Sequence, residues 1–360
     1  MRAAKPTRAV TPLRRGFVWA ALAALTFGVT TPLVARFGAG VATWTAAGCL
    51  YLGGALFAAA AHRDPREAVR GLRARWPVLV AIGVVGGALA PAAYVFGLRA
   101  AGPLAASLAL NMETPFSVAL AALAFREHVG RRVVVAMLAI VAGACALSVR
   151  AGGGAALDAG VLLVVSATAL WALDNALSSR AQDLDPRVTV FWKSVFGAAF
   201  SFAAAALLRE TPGPPAALGA LIAVGALGYG ASLVLYLTAQ RTFGVARTAS
   251  VFAIAPFVGA IGAVVLGDNH IDALGIAAFA LMLLGVVLHA TERHRHTHRH
   301  DPLVHQHPHR HDDLHHDHTH TETVVGEHTH THAHASLVHA HDHAPDVHHD
   351  HEHHAHDHEH

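Results

Sequence analysis

The chain has 360 residues, of which 54% are hydrophobic and 14% are charged, and its formal net charge is +2 at pH 7. The charged residues gather in short connections instead of spreading over the chain, which is the pattern of a bilayer protein and excludes a soluble globular one. The sequence has no His-Glu-x-x-His motif, nucleophile elbow or phosphate-binding glycine loop. We therefore expect no enzymatic activity.

Apolar runs of membrane-spanning length recur from residue 17 almost to residue 290. A run of about 20 apolar residues crosses a hydrocarbon core of about 30 Å as a helix. The first run follows Arg14 and Arg15, but it is too long for a signal peptide and has no convincing cleavage site, so we interpret it as a helix. The predicted spans are 17–35, 41–61, 76–98, 104–125, 132–149, 159–179, 188–208, 217–240, 245–267 and 272–290.

The distribution of Lys and Arg predicts that both termini are cytoplasmic, because basic loops stay on the inner side of a membrane. With the N-terminus inside, most basic residues fall in inner segments, and the outer loops keep only Arg36, Arg99, Arg150 and Arg209. An even number of helices returns the C-terminus to the same side. We interpret Arg99 and Arg247 as topological anchors, and we expect a bacterial-type inner membrane.

Helices four and nine share one sequence plan. Each carries a Pro-Phe pair, at Pro115 and Pro256, and each is followed by a carboxylate, Glu127 or Asp268. Both pairs of positions are separated by 141 residues, since 256 − 115 = 268 − 127 = 141. A five-helix unit duplicated in tandem faces opposite ways in the membrane, because five is odd. The sequence therefore predicts an all-α integral membrane protein of ten transmembrane helices in two inverted five-helix repeats.

Residues 17–290 resemble the drug/metabolite transporter superfamily, in the group built from two EamA-type domains. The repeated Pro115 and Pro256 motifs with Glu127 and Asp268 carry the resemblance. It implies a gradient-driven transporter of metabolites, amino acids or related compounds, and it does not name the cargo. The segments 171–175 and 229–232 resemble a bacterial subgroup whose members also end in histidine-rich tails. The predicted parts are a basic cytoplasmic N-terminus (1–16), two EamA-type repeats (17–150 and 159–290) and a tail (291–360).

Glu113 is the strongest candidate for transport chemistry, because it lies about ten residues into helix four, near the bilayer centre. An ionisable side chain there is costly unless it faces a cavity or a partner. Pro115 cannot donate a backbone hydrogen bond and so frees a carbonyl oxygen near Asn111. The alternative is a structural hydrogen bond to a neighbouring helix. The candidate transport cavity comprises Glu113, Asn111, Thr114, Pro115, Asp174, Asn175, Lys193, Trp171, Tyr229 and Pro256.

Asp174 and Asn175 form a second polar group, deep in helix six. Asp174 either lines a central cavity with Glu113 or pairs with Lys193, a basic residue inside helix seven; both readings stay open. Lys193 can alternatively extend to the lipid headgroups. Tyr94, Tyr229 and Tyr236 are weaker candidates for hydrogen-bond donors.

The tail holds most of the histidines: four of the 31 precede residue 291, which leaves 27 after it. It has few large apolar residues and is predicted to be disordered. Neutral imidazoles at spacing two favour weak, exchangeable binding of Zn, Ni or Co. The candidate metal ligands are His294, His296, His298, His300, His328, His330, His332, His334, His351, His353, His356, His358 and His360.

Our first hypothesis is a secondary transporter of a small organic metabolite with a metal-binding tail. The alternatives are a transition-metal exporter fed by the tail, and a metal-buffering or sensing membrane protein that transports nothing. The expected partners are a small-molecule substrate, the lipid bilayer and metal ions, with no nucleic acid and no required cofactor. A homodimer is left open.

Overall fold

The overall architecture is a bundle of membrane-length helices, followed by short strands. In a computed structural model of the chain, the described residues are 12–62, 64–124, 129–151, 158–267 and 272–291, with segments 294–300, 303–309, 328–334 and 337–343. Within these residues, ten helices are long and apolar enough to cross a membrane. The predicted fold class is thereby confirmed. Glu127 and Asp268 lie outside the described residues.

The ten spanning helices are numbered α1–α10, and several are interrupted. The first repeat contains α1 (Pro12–Gly28 and Thr30–Phe37), α2 (Thr43–Ala61), α3 (Pro65–Val84, a π-helical turn at Val85–Leu89, and Ala90–Ala101), α4 (Pro103–Ala109, a 3₁₀ turn at Leu110–Met112, and Glu113–Ala124) and α5 (Arg131–Ala151). The second repeat contains α6 (Ala159–Ser178 and a 3₁₀ turn at Ser179–Ala181), α7 (Pro186–Leu207), α8 (Pro215–Gly225, a π-helical turn at Ala226–Ala231, and Ser232–Phe243), α9 (Val245–Phe252 and Ala255–Val265) and α10 (Ala273–Ala290).

The interruptions recur at equivalent places in the two repeats. Helices α3 and α8 each contain a π-helical turn, and these turns begin at Val85 and Ala226. Each of the two helices then ends at a glycine with positive φ, 81° at Gly102 and 91° at Gly244. Glycine adopts this backbone conformation without steric cost, so the chain can turn directly into α4 or α9. The internal repeat predicted from sequence is thus present in the backbone itself.

Helix packing joins the two repeats across the whole bundle. Helix α2 packs against α7, α4 against α9 and α5 against α10. Helix α3 packs against α6 and α7, and correspondingly α8 packs against α1 and α2. Every one of these contacts has a counterpart when the repeats are exchanged. The interface is therefore a two-fold arrangement in which neither repeat has an independent core.

Glycines let the helices of this interface approach backbone to backbone. A Cβ atom added at Gly53 of α2 would lie 2.0 Å from the Ile222 carbonyl oxygen and 2.6 Å from the Ala226 nitrogen in α8. A Cβ atom added at Gly87 of α3 would lie 2.9 Å from the Cα atom of Gly197 in α7. Small residues are the usual means of close helix packing in membranes, where the hydrophobic effect does not drive helices together.

The described part of the tail has strand backbone. Strands β1 (His294–His300) and β4 (Leu337–His343) pair antiparallel, and so do β2 (Leu303–His309) and β3 (His328–His334). Thr and Val recur between the histidines there, and β-branched residues favour extended backbone.

The close approach at Gly53 predicts a position-specific loss of stability. Gly53→Ala would force the α2 and α8 backbones apart, and we expect it to cost about 1–3 kcal/mol, as overpacked sites do. The change is measured as the melting temperature of the detergent-solubilised protein. Gly219→Ala in α8 is the matched control, because an added Cβ atom there meets nothing within 4 Å. We expect the control to be neutral or stabilising, since Ala favours helix over Gly; equal loss in both variants would contradict the packing argument.

Candidate functional site

The candidate site is built around the backbone carbonyl group of Gly86, in the π-helical turn of α3. In such a turn the carbonyl of residue i pairs with the amide of residue i + 5, as Val85 does with Ala90. The corresponding residue for Gly86 is Pro91, which has no N–H group to donate. Two side chains donate instead: Tyr51 Oη at 2.6 Å and Trp171 Nε1 at 3.1 Å. The carbonyl oxygen thus ties α2 and α6 to α3.

Asp174 of α6 lies directly against this turn. A Cβ atom added at Gly86 would lie 2.2 Å from the Asp174 Cγ atom, so only glycine leaves room for the carboxylate. Lys193 of α7 donates a hydrogen bond from Nζ to Asp174 Oδ2. Asp174 is 1% exposed and Lys193 is 7% exposed. The structure therefore supports the interpretation that Lys193 pairs with Asp174 over the interpretation that Lys193 extends to the lipid headgroups.

One oxygen of this buried ion pair remains without a partner. Asp174 Oδ1 has no hydrogen-bond partner among the residues that the structure describes. The same holds, within the described part of the chain, for the Ser194 Oγ and Tyr229 Oη atoms. Buried polar atoms are nearly always hydrogen-bonded to protein or water. These three atoms therefore mark a region with unused hydrogen-bonding capacity.

Glu113 lies beside the ion pair on α4. Its Oε1 atom accepts a hydrogen bond of 2.7 Å from Asn175 Nδ2 of α6. Glu113 is half-buried and Asn175 is exposed, in contrast to the buried ion pair. Glu113 also interacts electrostatically with Asp174 and Lys193. Three charged side chains from α4, α6 and α7 thus form one group, which we call the charged cluster (Glu113, Asp174 and Lys193).

A set of packed aromatic rings adjoins the charged cluster. Ring centroids are separated by 5.6 Å between Tyr94 and Trp171, 6.5 Å between Trp171 and Phe27, and 6.0 Å between Phe27 and Tyr229. The Tyr229 ring also lies 5.0 Å from that of Tyr51. These five residues form the aromatic cluster. They come from α1, α2, α3, α6 and α8, so both repeats contribute to it.

The charges are placed asymmetrically although the backbone is symmetric. A Cβ atom added at Gly86 would lie against Asp174, and one added at the equivalent Gly228 of α8 would lie against Thr30 of α1. Asp174 therefore occupies the position that Thr30 occupies in the first repeat.

The same comparison locates the counterparts of Lys193 and Glu113. An added Cβ at Gly83 approaches the Lys193 carbonyl oxygen, and one at Gly225 approaches the Leu50 carbonyl oxygen. By the 141-residue offset, Ile254 stands where Glu113 does. Each charged residue of the cluster thus corresponds to an uncharged residue in the other repeat. The cluster therefore lies on one side of the two-fold arrangement.

The structure brings some predicted site residues together and separates others. Trp171 and Tyr229 adjoin the cluster, and Thr114 and Pro115 follow Glu113 on α4, where both are half-buried. Asn111 is instead 2% exposed and donates 2.9 Å to the Leu108 carbonyl oxygen, with its Nδ2 atom 3.9 Å from the Met282 sulfur of α10. Asn111 thus faces α10 and not the charged cluster.

Pro256 and the tail histidines lie elsewhere. Pro256 is buried near the start of the second segment of α9, which packs against α4. The tail candidates divide between strands and undescribed positions. His294, His296, His298 and His300 lie in β1, and His328, His330, His332 and His334 lie in β3. His351, His353, His356, His358 and His360 lie outside the described residues.

Sequence reasoning did not find Gly86 and Tyr51 as members of the site. The signal for Gly86 was present, since a glycine five residues before Pro91 leaves an acceptor without a backbone donor once a π-helical turn forms. Tyr51 gave no such signal, because a tyrosine in a membrane helix is compatible with many environments. Only the packing of α2 on α3 assigns its partner.

Comparison with known proteins agrees with this architecture. A family model described as the EamA-like transporter family matches residues 14–149 and again residues 158–291. No curated protein sequence is significantly similar to the chain. Fifteen chains of solved structures are similar to it. One, described as "Crystal structure of protein", has a TM-score of 0.55 and 19% identity, and the match covers 78% of this chain and 96% of that one.

The chain belongs to the EamA-like transporter family, and the resemblance inferred from its sequence is confirmed. It is accordingly a multi-pass membrane protein of a family of small-solute transporters. The similarity to the solved structure adds evidence for the fold alone.

The buried ion pair predicts non-additive effects of substitution. Lys193→Met leaves the Asp174 carboxylate buried without its cation and is expected to cost about 3–5 kcal/mol. Asp174→Asn combined with Lys193→Met removes both charges and should restore much of that loss. The measurement is a double-mutant cycle on unfolding in detergent micelles. A double variant as unstable as the sum of the two single variants would contradict the pairing.

Proposed function

We propose that the protein is a gradient-driven transporter of a small organic solute and that the charged cluster lies in its transport pathway. The observation that carries this proposal is Glu113, a half-buried carboxylate near the middle of α4, held by Asn175 of the other repeat. Charges inside a membrane are rare and usually mark ion or substrate pathways.

The arrangement of charges supports a coupling role for Glu113. Lys193 donates to Asp174, so these two side chains neutralise each other. Glu113 then remains as the charge that a proton or a cationic group of the solute can neutralise. Its location between helices of different repeats would let it exchange partners when the repeats move, as inverted-repeat transporters do around a midplane site.

The membrane location and orientation form part of this proposal. The excess of Lys and Arg in alternate connections supports cytoplasmic N- and C-termini in a bacterial-type inner membrane. A homodimer is compatible with this arrangement and is not required by it, because the charged cluster comes from a single chain.

We also propose that the tail binds Zn, Ni or Co as an accessory to transport. Histidines stand opposite each other in the antiparallel pairs, for example His296 with His341 and His307 with His330. Residues two apart occupy the same face of a strand, so the register puts several imidazole-bearing positions on one face. Such an array favours binding of several exchangeable ions over one rigid site.

The coupling role of Glu113 predicts loss of transport without loss of fold. Cells expressing the protein are compared with empty cells by mass spectrometry of organic solutes inside and outside the cell. We expect at least one solute to be redistributed by the wild type and to return to the empty-cell distribution with Glu113→Gln, because the amide cannot bind and release a proton. A protonophore should have the same effect if the proton gradient drives transport.

The matched control is Glu67→Gln, which makes the same chemical change at a side chain that is 47% exposed near the start of α3. The control should transport like the wild type. Transport that survives Glu113→Gln in a monodisperse, correctly inserted protein would refute the coupling role.

The tail proposal predicts metal binding that is separable from transport. The purified full chain should bind several Zn or Ni ions, and a version ending at Thr291 should bind almost none, as measured by elemental analysis after dialysis. Organic-solute transport should survive this truncation. If truncation and Glu113→Gln both raise cellular Zn, Ni or Co, the alternative of metal export fed by the tail is favoured instead.

A further inference from the structure

Arg99 lies at the end of α3 and forms hydrogen bonds with the loop between α1 and α2. Its Nη1 atom donates 2.7 Å to Thr43 Oγ1, and its Nη2 atom donates to the carbonyl oxygens of Gly38, at 3.2 Å, and of Val41. The planar guanidinium reaches all three acceptors at once, which a lysine ammonium on its flexible stem does not reproduce. Arg99 therefore does more than anchor the topology: it holds the α1–α2 loop.

Arg241 makes the equivalent connection in the second repeat. It lies at the end of α8, and its Nη2 atom donates to the carbonyl oxygens of Gln182, at 3.0 Å, and of Leu184 in the α6–α7 loop. Helices α3 and α8 are counterparts, so the two arginines hold counterpart loops. Because the repeats are inverted, these loops lie at opposite membrane faces.

The two faces differ in how open they are. A cavity of about 620 Å³ lies at the Arg99 face and is lined by Val34, Ala35, Leu98 and Arg99, among others. The cavity at the Arg241 face has a volume of about 130 Å³, and its lining includes Ser178, Gln182, Gln240 and Arg241. Val34 and Ser178, with an offset of 144, are counterparts like Phe27 and Trp171. The wide and the narrow cavity thus occupy equivalent positions in the two repeats.

Residues of the aromatic and charged clusters lie one helical turn from residues that line the two cavities. Tyr94 lies one helical turn from Leu98 of the wide cavity, packs on Trp171 and donates 2.7 Å to Thr31 Oγ1. Asp174 lies one turn from Ser178 of the narrow cavity. Each cavity therefore has a lining residue that lies one helical turn from a residue of the candidate site.

The Arg99 face has an additional contact between repeats. Glu210, in the α7–α8 connection, accepts hydrogen bonds from the backbone nitrogens of Trp44, at 3.1 Å, and Thr45, at 2.8 Å, at the start of α2. Its charge also interacts with that of Arg99. A movement of the α1–α2 loop at this face would therefore disturb contacts within one repeat and between the two.

We propose that Arg99 and Arg241 are paired positioning residues that together stabilise the conformation open at the Arg99 face, since Arg99 holds its loop beside the wide cavity and Arg241 holds its loop beside the narrow one; releasing either loop then favours the conformation open at the Arg241 face. This inference rests on the proposed transport function. In the conformation described, the Arg99 face is the open one. The coupling follows from the shared interface, because neither repeat can move its loop without moving the helices that pack on the other repeat.

The test uses thiol accessibility and needs no knowledge of the cargo. Cys49 and Cys145 are replaced by Ala in the full chain, and a single reporter is added, Ala35→Cys for the wide cavity or Ser178→Cys for the narrow one. The rate of labelling by a polar maleimide is measured in nanodiscs, where both faces are exposed to the reagent. Each reporter is combined with Arg99→Lys or Arg241→Lys, which keep the charge and remove the planar fork.

We expect reciprocal changes. Arg99→Lys and Arg241→Lys should each lower labelling at position 35 and raise it at position 178, by about tenfold, because both variants lose contacts that belong to the conformation open at the Arg99 face, and lost hydrogen bonds of a charged group shift a two-state equilibrium by about that factor. The controls are Arg36→Lys and Arg180→Lys, exposed side chains near the same two loops, and should change neither rate. Rates that move in the same direction at the two reporters, opposite effects of the two Lys variants, or unchanged rates overturn the proposal.

The experiment distinguishes failure of the arginine proposal from misfolding of a variant and from failure of the proposed transport function. If a Lys variant is not monodisperse, Thr43→Val removes one Arg99 acceptor alone and should shift the rates in the Arg99→Lys direction, and an unchanged rate would count against the proposal. Non-reciprocal labelling alongside Glu113-dependent transport refutes only the paired arginines. Reciprocal labelling without any transported solute refutes only the proposed function.

Discussion

The buried contact between Gly86 and the Asp174–Lys193 ion pair is the interaction on which the centre of the protein depends. Two charges inside a membrane protein are tolerable when they compensate each other. Gly86 supplies the space for the carboxylate, and its own carbonyl oxygen is satisfied by Tyr51 and Trp171. Helices α2, α3, α6 and α7 are therefore fixed in one mutual rotation by a single set of contacts.

Because the backbone is two-fold, the ion pair has an equivalent position in the bundle, and that position carries no charged residues. Thr30 and Leu50 stand where Asp174 and Lys193 do, so the same packing is achieved on the other side by an uncharged pair. A symmetric frame allows two related conformations of similar energy, which alternating access requires. Charges on one side only make those two conformations chemically distinct.

The Arg99 and Arg241 contacts connect this centre to loops at the two membrane faces, where the proposed pathway ends. Arg99 and Arg241 bind loops that are continuous with α1 and α6, and these helices carry Thr30 and Asp174. A displaced loop therefore acts on the middle of the bundle through one rigid helix. The histidine-rich strands form a separate unit, so their proposed metal binding needs no part in this linkage.

The sequence by itself determined the class, the helix count and the repeat, because apolar length and the 141-residue spacing of Pro115 and Pro256 are local patterns that a bilayer imposes directly. It also identified Glu113, Asp174 and Lys193 as unusual, since charge in an apolar run is visible without coordinates. Only the tertiary structure decided that Lys193 pairs with Asp174, that Asn111 faces α10, and that Gly86 and Tyr51 belong to the site. Those facts depend on helix rotation and on contacts between helices whose residues are 19 to 171 positions apart in the chain. A hydrophobicity pattern that is apolar all round a helix carries no record of either.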